Sequence, residues 1–365
     1  MAHPDATTGP TPVGRVLGIA LALAAVVAVI VLAFSWPSIT SDPKDLPIAI
    51  AGPEQAVSAA VDAVDEQAPG VIAFQEADDR AAAVEAIETR EAYGAIVLGE
   101  EPEVLTSSAS SLVVAQLLGN VAGQLEEGVN AQAAAAAAAA GAPAAPPHLD
   151  VAVTDVVPLA DSDPRGTGLA SAIFPLVLGG LLGGIAISLA VIGAMRRVIA
   201  VVAYSVVGGL VLTAILQGWF GSLQGDYWLN SAAIALALAA IAAPITGLAA
   251  LMGRAGIAVG AIVMLLFANP ISSVALPKEF LPVPWGEVGQ WFPPGASATL
   301  IRELSYFPAA DTTFPWLVLT AWAVGGILLS MIGHFRTAGG AGPDGEAAKA
   351  DEVGDRAAVG PKVPA

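Results

Sequence analysis

Two rhythms of apolar and polar residues alternate along this chain. Six segments are apolar almost throughout: Gly14–Ser35, Leu169–Met195, Val198–Gln217, Ser231–Met252, Gly256–Leu276 and Phe314–Gly333. At about 1.5 Å of rise per residue, each is long enough to cross roughly 30 Å of hydrocarbon. None holds an acid or base in its interior, where one charge would cost about 2.5–3.5 kcal/mol. Between the first and second segments the rhythm shortens. Pro47–Ala51, Gly70–Phe74, Tyr93–Leu98, Glu103–Thr106 and Asp150–Leu159 read as strands. Glu54–Gln67, Asp78–Glu91 and Ser110–Ala140 read as helices; the first carries Ala56, Val57, Ala60, Val61 and Val64 along one face. Strands alternating with helices of this length predict a small α/β domain. A Pro/Ala linker, Gly141–Pro147, ends its long helix.

The basic residues orient these segments. Arg196 and Arg197 lie between the second and third spans, Arg254 between the fourth and fifth, Arg336 after the sixth and Arg15 at the inner edge of the first. Placing all of them in the cytoplasm gives one threading, with both termini inside. Trp36, Trp219, Trp228 and Trp316 then fall at outer span ends, where indole is favoured. The first apolar run, about 20 residues, exceeds a signal peptide's usual core of about 7–15, so an uncleaved anchor is expected. The predicted fold is a polytopic α-helical membrane protein of about six transmembrane helices, with an inserted extracellular α/β domain. Its parts are a disordered cytoplasmic N-terminus (1–13), a first helix (14–36), the acidic domain (37–168), a five-helix membrane domain (169–333) and a disordered cytoplasmic tail (334–365). The expected location is the cytoplasmic membrane.

Composition sharpens this picture. The mean hydropathy is +0.72, which few soluble chains of this length reach. A formal charge of −18 argues against nucleic-acid binding. About twenty acids lie in 37–168, against four bases, Lys44, Arg80, Arg90 and Arg165. Their paired acids match no calcium-loop spacing and read as a solvated surface. There is no cysteine, and His3, His148 and His334 are scattered, so no metal site is expected. No P-loop, nucleophile elbow, zinc-helix motif or dinucleotide fingerprint occurs. No enzyme activity and no cofactor are expected, and the spans lack the buried ionisable groups of a proton relay.

Within the membrane part, Gly179-Gly180 and Gly183-Gly184 form overlapping small-xxx-small pairs. They suit close helix approach, either inside one chain or across a dimer. Residues 277–313 are too apolar for a solvated loop and too broken for a span. They are expected to form a re-entrant outer hairpin of two short helices meeting at Pro293-Pro294-Gly295, with Arg302 beyond. Pro293, Pro294, Gly295 and Arg302 are the candidate outer-gate residues.

One helix, an α/β domain, then five helices with a broken hairpin before the last resembles the permeases of type-2 ABC exporters, in their phage-infection-protein-like branch. Three stretches carry the resemblance: Pro158-Leu159 through Asp163-Pro164-Arg165-Gly166 into Phe174-Pro175-Leu176; Gly179 to Gly184; and Trp291 to Ala296 followed by Leu300, Arg302 and Tyr306-Phe307. The resemblance implies a homodimer with the substrate path between two copies, and a separate cytoplasmic ATPase. It implies an amphipathic, lipid-like or drug-like substrate. One departure is that the coupling helix between the second and third spans is reduced to about Met195-Arg196-Arg197. That small inner surface suits an alternative, a non-transporting envelope receptor or scaffold binding a partner through the extracellular domain.

Overall fold

The computed structural model describes residues 11–99, 101–139, 148–274 and 276–338. The linker Gly141–Pro147, the N-terminal ten residues and the tail from 339 lie outside them. Among the described residues, five helices are long and apolar enough to cross a bilayer, which makes this a polytopic helical membrane protein. They are α1 (Val13–Ile39), α5 (Thr167–Ala190), α6 (Ala194–Thr213, prolonged by a π-helical turn, Ala214–Trp219), α7 (Tyr227–Met252) and α11 (Thr313–Ala338).

The expected span Gly256–Leu276 is corrected. Its helix, α8 (Arg254–Ile262), passes into a π-helical turn, Val263–Ala268, and stops there. These 15 residues reach about 22 Å at helical rise, short of a hydrocarbon core. Pro270 lacks an N–H, so the ladder ends after Asn269, which itself keeps helical backbone angles. The apolar residues beyond it serve protein packing instead, since Leu276 and Phe280 join the core of the sheet region. The expected disordered tail from 334 begins as helix, because α11 runs to Ala338.

Between α1 and α5 the chain forms β1 (Leu46–Ala51), α2 (Glu54–Gln67), β2 (Ile72–Glu76), α3 (Arg80–Glu88), β3 (Gly94–Val97), β4 (Glu103–Thr106), α4 (Leu112–Ala139) and β5 (Ala152–Asp155). The sheet order is β2-β1-β3-β4-β5, with only β3 and β4 antiparallel. β1 lies inside the sheet, between β2 and β3, and is buried on both faces. Side chains of Leu46, Ile48 and Ile50 meet Val57 of α2 and Val114 and Leu118 of α4. The alternate residue Ala49, with Ala95 and Leu105, meets Ala83 and Ile87 of α3. This is the period-2 division of a sheet covered on both sides. Asp79 caps α3 by accepting from Ala82 N at 2.9 Å.

In the helical body α7 is the hub. Small residues of its neighbours set the spacing. A Cβ on Gly180 of α5 would lie 2.8 Å from Ile241, and one on Gly209 of α6 would lie 2.5 Å from the Ser231 carbonyl. On Gly326 of α11 it would collide with the Ala243–Pro244 backbone. Without a hydrophobic force between helices in lipid, this close approach is what packing can use. α1 stands apart, exposed along nearly all its length. Three further helical pieces, Lys278–Phe280, α9 (Trp285–Gln290) and α10 (Pro293–Tyr306), lie between α8 and α11.

Candidate functional site

The sheet region meets the helical body through residues 276–307. Pro293 and Pro294 occupy the first turn of α10, where a missing N–H costs nothing. Gly295 lies against Gly289, and Gly289 against Ile271. In each case a Cβ would strike the neighbour's carbonyl oxygen, so three backbone layers nest without side chains. An aromatic chain borders them. Trp36 of α1 meets Trp285 edge-on at 6.3 Å, Trp285 meets Phe267 at 5.9 Å, and Phe267 meets Phe292 at 5.3 Å. Phe292 lies 5.5 Å from Trp322 of α11, whose Nε1 donates to the Trp291 carbonyl at 2.8 Å. Such amphipathic rings suit the level where membrane meets water.

Above this belt is a buried polar junction. Arg302 is partly buried and donates Nη2 to the Val274 carbonyl at 3.1 Å. Burial, reinforced by the nearby Arg90 charge, lowers its pKa to about 10. Arg90 donates Nη1 to Glu303 Oε1 at 3.2 Å and lies over the Phe307 ring at 5.3 Å. Glu303 Oε2 is buried with no hydrogen-bond partner among the described residues. Burial raises the Glu303 carboxyl above its usual range despite Arg90. Tyr93 donates to Glu279 Oε2 at 2.9 Å, and burial pushes its phenol well up. Two backbone bonds of 3.1 Å, Asp42 N to Phe280 O and Lys44 N to Glu279 O, complete the seam. Arg302 is thus brought into a cluster with Arg90, Tyr93, Glu279 and Glu303, whereas Pro293, Pro294 and Gly295 lie at the other end of α10.

Beside this junction, a cavity of about 410 Å³ opens between α5 and the end of α6. Its rim is polar, with Ser162, Asp163, Thr167, Ser171 and Ser222; its floor is apolar, with Pro175, Leu176, Leu212, Leu216 and Phe220. Asp163 is buried and accepts from Gly168 N at 2.8 Å and Leu169 N at 3.3 Å. It therefore holds the uncapped N-terminus of α5 and shapes the rim. The π-helical turn Ala214–Trp219 supplies Leu216 to the floor; such turns recur at functional sites.

Gly179 and Gly183 face Tyr204 of α6, whose hydroxyl donates to the Gly179 carbonyl at 2.7 Å. Gly180 and Gly184 face Ile241 and Ala242 of α7. All four therefore have neighbours within one chain. Arg196, Arg197 and Arg254 gather at the end of the helical body away from the sheet. His148 meets two acids, with Nδ1 3.2 Å from Asp150 and Nε2 3.9 Å from Glu126. The acids face opposite ring nitrogens, and Asn130 also reaches Nε2 at 3.4 Å, an arrangement suited to a clasp between α4 and the chain entering β5.

Sequence pattern does not single out Tyr93, Glu279, Glu303 or the cavity rim as a site. The available signals were Arg90, a base retained in an acidic stretch, and Glu303, an acid in a mostly apolar helix. No family model, curated protein or solved structure matches the chain.

Proposed function

We propose that this chain is a permease subunit of an ABC-type exporter in the cytoplasmic membrane, moving an amphipathic, lipid-like or drug-like substrate. The observation that carries this reading is the cavity between α5 and α6, whose polar rim and apolar floor match a molecule with one polar and one apolar end. In this reading the sheet region is an extracellular α/β domain, both termini are cytoplasmic, and two copies face each other across the path. A separate cytoplasmic ATPase supplies the energy. In this reading the contacts of Arg90 with Glu303 and of Tyr93 with Glu279 tie the domain to the helical pieces above the cavity.

A second reading, a non-transporting envelope receptor or scaffold, draws support from the opposite end. There α5 and α6 are joined by three residues, Val191–Gly193, and α7 and α8 by Gly253 alone. Those turns give an ATPase little to grip.

The test uses the tagged full chain. Purification in mild detergent should yield a dimer with a stoichiometric ATPase. Leu216→Trp, which fills the cavity floor, should lower efflux of a hydrophobic dye at least about tenfold while the complex stays assembled. A complex with no ATPase but with an envelope protein on the extracellular domain would replace the exporter reading with the receptor one.

A further inference from the structure

The hydroxyls around the cavity between α5 and α6 share one property: each gives its proton to the protein. Ser162 Oγ donates to the Gly221 carbonyl at 2.6 Å, and Ser171 Oγ to the Gly168 carbonyl at 3.1 Å. Ser222 Oγ donates to the Leu216 carbonyl and Thr167 Oγ1 to Asp163 Oδ1, both at 3.4 Å. A carbonyl or carboxylate oxygen can only accept, so chemistry fixes these directions. No group among the described residues donates back to any of the four hydroxyl oxygens. What they can still offer a ligand is lone pairs.

The groups that could oppose this are occupied or absent. Among the described lining residues, no side chain carries an N–H. The start of α5 would favour an anion through its free amides, but Asp163 takes those of Gly168 and Leu169. Asp163 is buried and is the one charged residue of this lining. Its Oδ1 receives only the long Thr167 bond, which leaves acceptor capacity on a carboxylate. Arg165, the base nearest to it in sequence, is exposed and outside the lining. Phe220 adds an aromatic face, which attracts cations. The chain enters the rim soon after β5, from a sheet region with about twenty acids and four bases, a field that concentrates cations.

We propose that this cavity selects a cationic amphiphile with a primary ammonium. Its N–H groups lie on the Asp163 carboxylate and the rim hydroxyls, and its apolar part on Leu176, Leu212 and Leu216. This rests on the exporter reading of the cavity and names the class of molecule it takes. An ammonium brings three donors and no acceptor, the complement of an all-acceptor rim. A carboxylate or phosphate end is refused, since it would meet lone pairs and a like charge with no donor to pair it. A quaternary ammonium keeps the charge but offers no N–H.

The experiment is isothermal titration calorimetry on the purified full chain in mild non-ionic detergent. Four probes share one apolar body: phenylbutylamine, phenylbutyltrimethylammonium, phenylbutanol and phenylbutyrate. The amine should bind at least about tenfold more tightly than each of the others. Leu216→Trp should abolish its binding, which places the probe in this cavity. Asp163→Asn keeps an oxygen for the Gly168 and Leu169 amides; it should weaken the amine about tenfold and leave phenylbutanol unchanged. Ser171→Ala, at an exposed position, should weaken the amine about threefold. If phenylbutyrate or the quaternary probe matches the amine and both are lost in Leu216→Trp, the ammonium assignment is overturned and the exporter reading stands. Unchanged amine affinity in both Asp163→Asn and Ser171→Ala would overturn the assignment as well. No binding of any probe would overturn both. The expected pattern in a chain that purifies without an ATPase would support the assignment and remove only the exporter reading.

Discussion

The sheet region and the helical body both bury large side chains, Ile234, Leu238, Ile241 and Ile245 among them in the body, but they differ in how closely their backbones approach. The sheet region buries large side chains: Leu46, Ile48, Ile50, Ile87, Leu105 and Leu118 are all essentially inaccessible. Around α7, alanines fill much of the interior, and glycines of α5, α6 and α11 press against its backbone and side chains. In water, removing apolar area stabilises by about 25 cal/mol per Å², so large residues are the effective choice. Against lipid that gain vanishes, and the surplus comes from dispersion between closely spaced backbones. Close glycine contacts between helices, rather than a lack of large buried residues, therefore mark the half that faces lipid.

Three substitutions break or sharpen that contrast. The largest effect is expected from Gly326→Leu, whose side chain would need the space of the Ala243–Pro244 backbone. It should destabilise the α7–α11 contact by about 3 kcal/mol or more, read as loss of a monodisperse, cooperatively melting species in detergent. Wild-type melting would mean that the two helices are not packed as described. Next is Ile48→Ala, at a fully buried strand position, with an expected cost of about 3 kcal/mol. Hydrogen exchange should quicken in β1 and β3 and stay unchanged in α7. Equal quickening in both would show one shared core.

The third, Arg90→Ala, acts at the seam between the halves and should cost about 2 kcal/mol near pH 7.5. Its sign with pH follows from Glu303. Burial raises that carboxyl's folded value above the unfolded one, so ionisation disfavours the folded state. The group's favourable contribution is complete below the unfolded value and is lost as pH rises through the folded one. Removing Arg90 raises the folded value further. The loss in melting temperature should therefore be greater near pH 7.5 than near pH 5, and adding Glu303→Gln should abolish the difference. A loss independent of pH would mean that Arg90 matters only through its packing on Phe307.

Much of this architecture is legible in the sequence because its determinants are local. The helix Glu54–Gln67 and the strand Glu103–Thr106 appear with the expected bounds, since caps and periodicity are read within a few residues. The fifth expected span misleads for a physical reason: hydropathy shows that Ile271–Leu276 avoids water, but not whether lipid or protein excludes it. Arg90 and Glu303 are 213 positions apart, and Tyr93 and Glu279 are 186 apart, so no local pattern announces those partners. The cavity is hidden likewise, because its rim joins Ser162 to Ser222 across two helices.

Phe280 has a consequence for how the protein is made. It completes a core whose other buried members all lie between Leu46 and Val151. About 120 residues, including three of the long apolar helices, are synthesised between the last strand and Phe280. At about 5–20 residues per second, that separates the two by roughly 6–25 s. For that interval the sheet region must stand with its core open on one side. Its final closure is therefore timed by translation of the membrane helices, which couples maturation of the sheet region to insertion of the body beneath it.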